Sequence, residues 1–218
     1  VAWATWRPSL VRGPWQDRVV LVPLPPLSSA CRVSAATLIR QRRSCQALDG
    51  QTPISADVFY RMLDHLLPRP AAPWDVLPWP PQLHLGIFVH RVTGLPPGLY
   101  LLERDAAIHD RLRGALKQSF LWERPTRCPE HLRLYCLMQD DLRQAAQMVS
   151  CHQNIAADGA FSLCMIADFA PTIRAHGAWW YRRLFWESGV LGQALYLEAE
   201  AAGVRSTLGA LPSSELGA

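Results

Sequence analysis

The stretch LHLGIFVHRVTGLPPGLYLLER, residues 83–104, decides the fold class. Leu83, Leu85, Ile87 and Val89 alternate with their neighbours, and a period of two puts them on one face of a strand. The run TGLPPG at 93–98 carries too much Gly and Pro to continue that strand and predicts a turn. LYLLE at 99–103 then starts a second strand, so the segment reads as a hairpin-like antiparallel pair.

Working outward toward the C-terminus, a helix is expected around 105–119. A third strand is expected over 131–138, with Leu132, Leu134, Cys136 and Met138 facing one way. Asp140 and Asp141 suit the positive end of a helix dipole, and Gly159 suits its close. This helix has an apolar stripe of Leu142, Ala145, Met148/Val149, His152 and Ile155/Ala156. Residues 161–169 are nearly all apolar, the pattern of a central strand covered on both faces. Residues 181–202 form the longest expected helix, about 33 Å at 1.5 Å per residue. Gly203 stands at its C-terminus. Its large residues lie on almost every side, which predicts burial between the sheet and a partner subunit.

Toward the N-terminus, PRPAAPWDVLPWPP at 68–81 is too proline-dense for anything but a loop. Ser55 caps a helix over ADVFYRMLDHLL, with Phe59, Met62, Leu63, Leu66 and Leu67 on its buried face and Pro68 as terminator. Ser34 caps a shorter helix, AATLIRQR, that runs into the Arg42-Arg43-Ser44 turn. Residues 1–33 are Pro- and Trp-rich and lack a helical period. They read either as an extended arm on another surface or as an interdomain linker. Residues 34–218 form the domain. Helices and strands mix without strict alternation, so the class is α+β with a mostly antiparallel sheet and a long buried helix.

Composition narrows the function classes. The chain has 218 residues, half of them hydrophobic, enough for one well-buried core. A net charge of +4 is too small and too dispersed for nucleic-acid binding. No run of about 20 apolar residues exists to span a bilayer. No basic region followed by an apolar core marks a signal peptide. The six cysteines form no C-x-x-C pair and no zinc-ligand spacing, so they read as structural thiols with no metal site. Together these features imply a reducing, cytoplasmic setting. The chain begins at Val1 without an initiator Met, as expected of a piece of something longer.

Several residues invite sharper readings. His152 on an apolar helix stripe reads as a core histidine rather than a general acid. Cys151 and His152, adjacent on a helix, would diverge by about 100° and could not act as a pair. Tyr100 and Tyr181 are placed at element edges, where Tyr commonly packs. Trp179, Trp180 and Trp186 read as core or interface. Asp168 reads as a turn former at the end of a strand.

Three stretches taken together resemble the nitroreductase family, and within it the branch that oxidises azoline rings in modified peptides. The first is Arg40-Gln-Arg-Arg-Ser44 ahead of the helix at Ser55. The second is the G-L-x-P-G-x-Y turn at 94–100. The third is Glu187-Ser-Gly189-x-x-Gly-Gln193-Ala-Leu-Tyr-Leu-Glu-Ala-Glu-Ala-Ala-Gly203. This resemblance covers Arg40 to about Ala210.

The resemblance implies a flavin mononucleotide (FMN) enzyme working by hydride transfer, as a homodimer or with a tandem or heteromeric partner of the same fold. It acts on a small-molecule or peptide heterocycle. Arg42 and Arg43 would contact the flavin phosphate or pyrimidine edge, and Ser44 the phosphate or ribityl chain. Fixed guanidinium forks beside a hydroxyl suit such an anion. Gln46 stands where the family usually has a basic residue. Gly189 and Gln193 would serve close packing beside the ring, and backbone near Ser206 to Ala210, with Gly209 and Ala210, would meet the flavin edge. The alternative is a degenerate domain of the same fold that supports a partner's flavin site without its own turnover.

Overall fold

The computed structural model describes residues 23–27, 31 and 33–207. Its centre is a four-stranded antiparallel sheet built around the quoted stretch. The elements in chain order are α1 (Ala35–Gln41), β1 (Ile54–Ser55), α2 (Ala56–Asp64), β2 (Leu83–Val89), β3 (Val92–Thr93), β4 (Gly98–Glu103), α3 (His109–Ala115), β5 (Arg133–Gln139), α4 (Arg143–Val149), α5 (Ile155–Asp158), β6 (Phe161–Ala167), α6 (Phe169–His176) and α7 (Tyr181–Ala201). Short 3-10 turns at 74–76, 106–108 and 178–180 link them. The sheet order is β5-β4-β2-β6, and β1 and β3 form a small parallel pair beside it.

Leu85, Ile87, Val89, Tyr100 and Leu102 are wholly buried on one face of the sheet, under α2 and α7. The other face carries Leu101, Ile108, Leu112 and Leu137, covered by α3 and the segment through Trp122. β2 and β4 are therefore covered twice, which is why apolar residues stand at successive positions and not only at alternate ones.

Both predicted caps form. The Ser34 hydroxyl accepts from the Thr37 amide at 3.2 Å, and the Ser55 hydroxyl from the Val58 amide at 3.3 Å. Phe59, Met62, Leu63, Leu66 and Leu67 are buried as their spacing predicts. Part of the N-terminal arm lies along this domain. Leu24 packs against the main core, and Arg69 donates to the Pro25 carbonyl at 2.6 Å.

Several expectations give way. The third strand starts at Arg133, and a register shift between Leu99 and Tyr100 leaves Leu137 without an opposite residue on β4. The alternation slips there: Leu137 is buried and Met138 is exposed. The expected helix from Asp140 to Gly159 is broken in two, because Cys151 (φ 55°) and His152 (φ 59°) adopt the left-handed conformation. His152 is consequently an exposed residue of the break, not a core histidine.

The strand at 161–167 is an edge strand, half-buried along its whole length, rather than a central one. Tyr100 sits within β4, fully buried, and its hydroxyl donates to the Pro96 carbonyl at 2.8 Å. Burial pushes its phenol above the ordinary range.

The longest helix follows its expected span, with Gly203 at φ 74° just past its end. Within the described chain, burial runs along one side of α7: Leu184, Glu187, Leu191, Tyr196 and Ala199. Tyr181, Phe185, Trp186 and Gln193 stay exposed on the other side. Its tie to the sheet is an ion pair with no access to solvent. Glu187 meets Arg104, and the carboxylate also accepts from the Gln82 and Leu83 amides at 3.1–3.3 Å. Arg104 also donates to the Leu66 and Leu83 carbonyls at 2.7 and 3.1 Å and lies over the Trp74 ring.

Candidate active site

The Arg-Arg-Ser turn is placed by the end of α1. Arg42 is the C-cap residue, and its amide closes the helix on the Leu38 carbonyl. Arg43 folds back and donates to the Arg40 and Arg42 carbonyls at 2.8 and 2.9 Å. A cation over the last carbonyls of a helix is favoured by the dipole, so this side chain serves the cap itself.

Arg42 instead lies 4.9 Å from the centroid of the Tyr196 ring on α7. Ser44 shares a 2.6 Å hydrogen bond with the Tyr196 hydroxyl. The Cys45 amide donates to the Ser206 carbonyl at 3.1 Å, which joins the turn to the strand of chain leaving α7. Arg42, Ser44, Tyr196 and Ser206 therefore form one locus, drawn from segments more than 150 residues apart in sequence.

Among the described residues no carboxylate pairs with Arg40, Arg42 or Arg43. Three guanidinium groups within four residues thus carry positive charge with no carboxylate partner among the described residues, and Arg42 shares Tyr196 with the Ser44 hydroxyl. Such an arrangement attracts an oxyanion, because charge-assisted bonds from guanidinium are roughly twice as strong as neutral ones.

Gln46 is exposed two residues past Ser44. Gln193 is exposed on α7, three residues before Tyr196. A Cβ on Gly189 would meet nothing within 4 Å, so no neighbour in the described chain requires glycine there. Gly209 and Ala210 lie outside the described residues.

Tyr196 is the residue that sequence reasoning missed. Its position, three past Gln193 on the buried side of α7, was legible as core. Its hydroxyl contact to Ser44 depends on packing of α1 against α7 and left no local signal.

The proline-dense loop is not open space. Trp74 and Trp79 are buried, and the Trp74 indole donates to the His65 carbonyl at 3.0 Å. Arg183 lies over the Trp79, Trp179 and Trp180 rings at 4.4–4.9 Å. Asp168 precedes α6 and pairs with Arg111 at 2.7 Å. Trp74 and Trp79 also line a small cavity of about 40 Å³ together with Arg104 and Glu187. No helix of the described residues is long and apolar enough to cross a membrane.

No protein-family model matches the sequence, and no curated protein does either. Among solved structures, a protein from Anabaena variabilis provisionally named a nitroreductase is similar in fold, with a TM-score of 0.56 at 20% sequence identity. The match covers 76% of this chain and 30% of that one, so this chain spans well under half the length of its structural neighbour. The α+β architecture is nitroreductase-like.

Proposed function

We propose that this chain is a flavin-binding oxidoreductase domain that seats the phosphate end of FMN at Arg42 and Ser44. The observation that carries this reading is the set of guanidinium groups at the end of α1, free of carboxylate partners among the described residues, of which Arg42 is braced on Tyr196 beside Ser44. Bound FMN would supply hydride transfer, the chemistry a protein frame positions but does not perform.

Arg42 and Ser44 fit a phosphate by charge and donor type. Tyr196 holds both in place before any ligand arrives, which lowers the ordering cost of binding. Gln193, on the exposed side of α7, is the polar side chain available toward a ring. The segment around Ser206 brings backbone close to the same turn. A second copy or a companion domain would complete the site across the exposed side of α7. The resemblance to azoline dehydrogenases makes a peptide heterocycle the substrate class of this reading.

A second reading has its own support. Gln46 is neutral, and Arg43 is occupied by helix carbonyls. These favour a domain that supports a partner's flavin site without turnover of its own.

One experiment separates the two. The purified chain is mixed with stoichiometric FMN, filtered, and its visible spectrum recorded beside that of Arg42→Ala. Retained, protein-shifted flavin absorbance that Arg42→Ala loses supports the first reading. Flavin that washes through a folded protein rejects it in favour of the second.

A further inference from the structure

A second polar depression lies away from the Arg42–Tyr196 locus and shares no residue with it. Its volume is about 270 Å³, and its walls come from α2, the loop at 127–131 and the N-terminal arm. Pro25, Pro26, Pro129 and Tyr60 supply apolar surface, and Asp57, Arg61, Asp64, Arg127 and His131 supply charge.

The walls are built rather than loose. Tyr60 donates to the Thr126 carbonyl at 2.9 Å. Arg124 holds the loop by donating to the Leu132, Pro129 and Glu130 carbonyls at 2.8–3.3 Å. Arg69 fixes the arm through the Pro25 carbonyl. The Asp64 carboxylate in the lining already has its counter-charge, since Arg69 at 2.6 Å and His131 at 2.9 Å both reach its Oδ1.

The charges left over decide the ligand. Arg61 and Arg127 pair with no carboxylate among the described residues, whereas Asp64 is neutralised and Asp57 is exposed. Arg69, outside the lining, takes the charge of Asp64, which leaves Arg61 and Arg127 against the one carboxylate of Asp57. Arg127 is held at φ 60°, a conformation side chains rarely adopt, so the loop fixes its direction of departure. Two spare guanidinium groups among pyrrolidine and phenol walls match an anionic group carried on a flat apolar ring.

We infer that this depression binds small ring compounds bearing a carboxylate or a phosphate monoester, at a site separate from the proposed flavin locus. The probes are phenyl phosphate and benzoate, titrated by calorimetry into the full chain at low salt, with benzyl alcohol as the neutral control. Saturable binding of an anionic probe is expected, with no heat from the alcohol.

Arg127→Met is the informative variant, because the side chain is exposed and its loss leaves the fold standing. Removing one charge-assisted contact should weaken binding by about tenfold or more. Arg61→Met should do the same, while Arg42→Ala should leave these heats in place. Three results overturn the inference: no saturable binding of either probe, binding unchanged in Arg127→Met, or binding lost in Arg42→Ala alone. Binding of phenyl phosphate without benzoate, or the reverse, supports it and identifies which anion the site prefers.

Discussion

Replacing Glu187 with Ala is the perturbation that tests the sheet-to-helix connection most directly. Glu187 and Arg104 are each about 1% exposed at the side chain, so the variant leaves a guanidinium in the interior without its counter-charge. It also strips the acceptor from the Gln82 and Leu83 amides. Breaking a buried pair from one side costs about 3–5 kcal/mol, a third or more of the total stability of a typical domain. With a urea dependence near 2–3 kcal/mol per molar, the unfolding midpoint should fall by about 1.5 M.

The assay is equilibrium urea unfolding followed by far-ultraviolet circular dichroism. Arg205→Ala serves as the reference, since its pair with Glu200 at 3.0 Å is largely exposed on the arginine side. That variant should move the midpoint by no more than about 0.3 M. If Glu187→Ala moves the midpoint no further than Arg205→Ala does, α7 is not anchored to β2 and β4 in the way described.

Other consequences are open to measurement. Burial lowers the His84 pKa from 6.5 to about 4, and the neighbouring Arg104 charge adds to the effect. The unfolded chain therefore takes up a proton that the folded chain refuses between those values. Stability should be full above pH 6.5 and fall as pH drops toward 4, by about 2 kcal/mol at pH 5. A His84 ring resonance titrating near 6.5 would sink this.

Gly98 pairs with Gln139, and an added Cβ would run into the Met138 carbonyl and its neighbours. Gly98→Ala should cost at least about 2 kcal/mol in thermal or urea unfolding, and an unchanged midpoint would refute that packing. Ser44→Ala and Tyr196→Phe each remove one end of the same hydrogen bond. A double-mutant cycle on unfolding free energy should give about 1 kcal/mol of coupling, whereas strict additivity would show that the bond does not form.

The elements legible in the sequence were those whose signal is local. Ser34 and Ser55 announce their helices because a cap hydroxyl and the amide it satisfies are three residues apart. The face of α2 was legible because its burial follows one helical period. The β2–β4 pair was legible because its turn carries its own chemistry. The break at Cys151 and His152 was not, since two successive residues other than glycine rarely both take a positive φ. The slip at Leu137 was equally hidden, because a bulge changes the period without changing the composition. Residues 161–167 looked central because they are apolar, but an apolar composition does not say how many neighbours a strand has. In the candidate site, the Arg42-Arg43-Ser44 motif was visible. The division of labour within it was not, because Arg43 takes the helix carbonyls and Arg42 takes Tyr196 only once α1 and α7 are packed together.

The sheet order also imposes an order of events during synthesis. β2 meets β4 through a turn of a few residues, with Val89 opposite Gly98, and β5 joins β4 next. The other side of β2 waits for β6, which lies some eighty positions further along, where Leu83 faces Ala167. Closing so long a loop is slow compared with closing a hairpin. A nascent chain emerging from the ribosome can thus assemble a three-stranded meander early, while one margin of β2, lined with leucine, isoleucine and valine, still has no neighbour. α7 follows β6 in the chain, so the counter-charge for Arg104 arrives last, and its arrival closes the core.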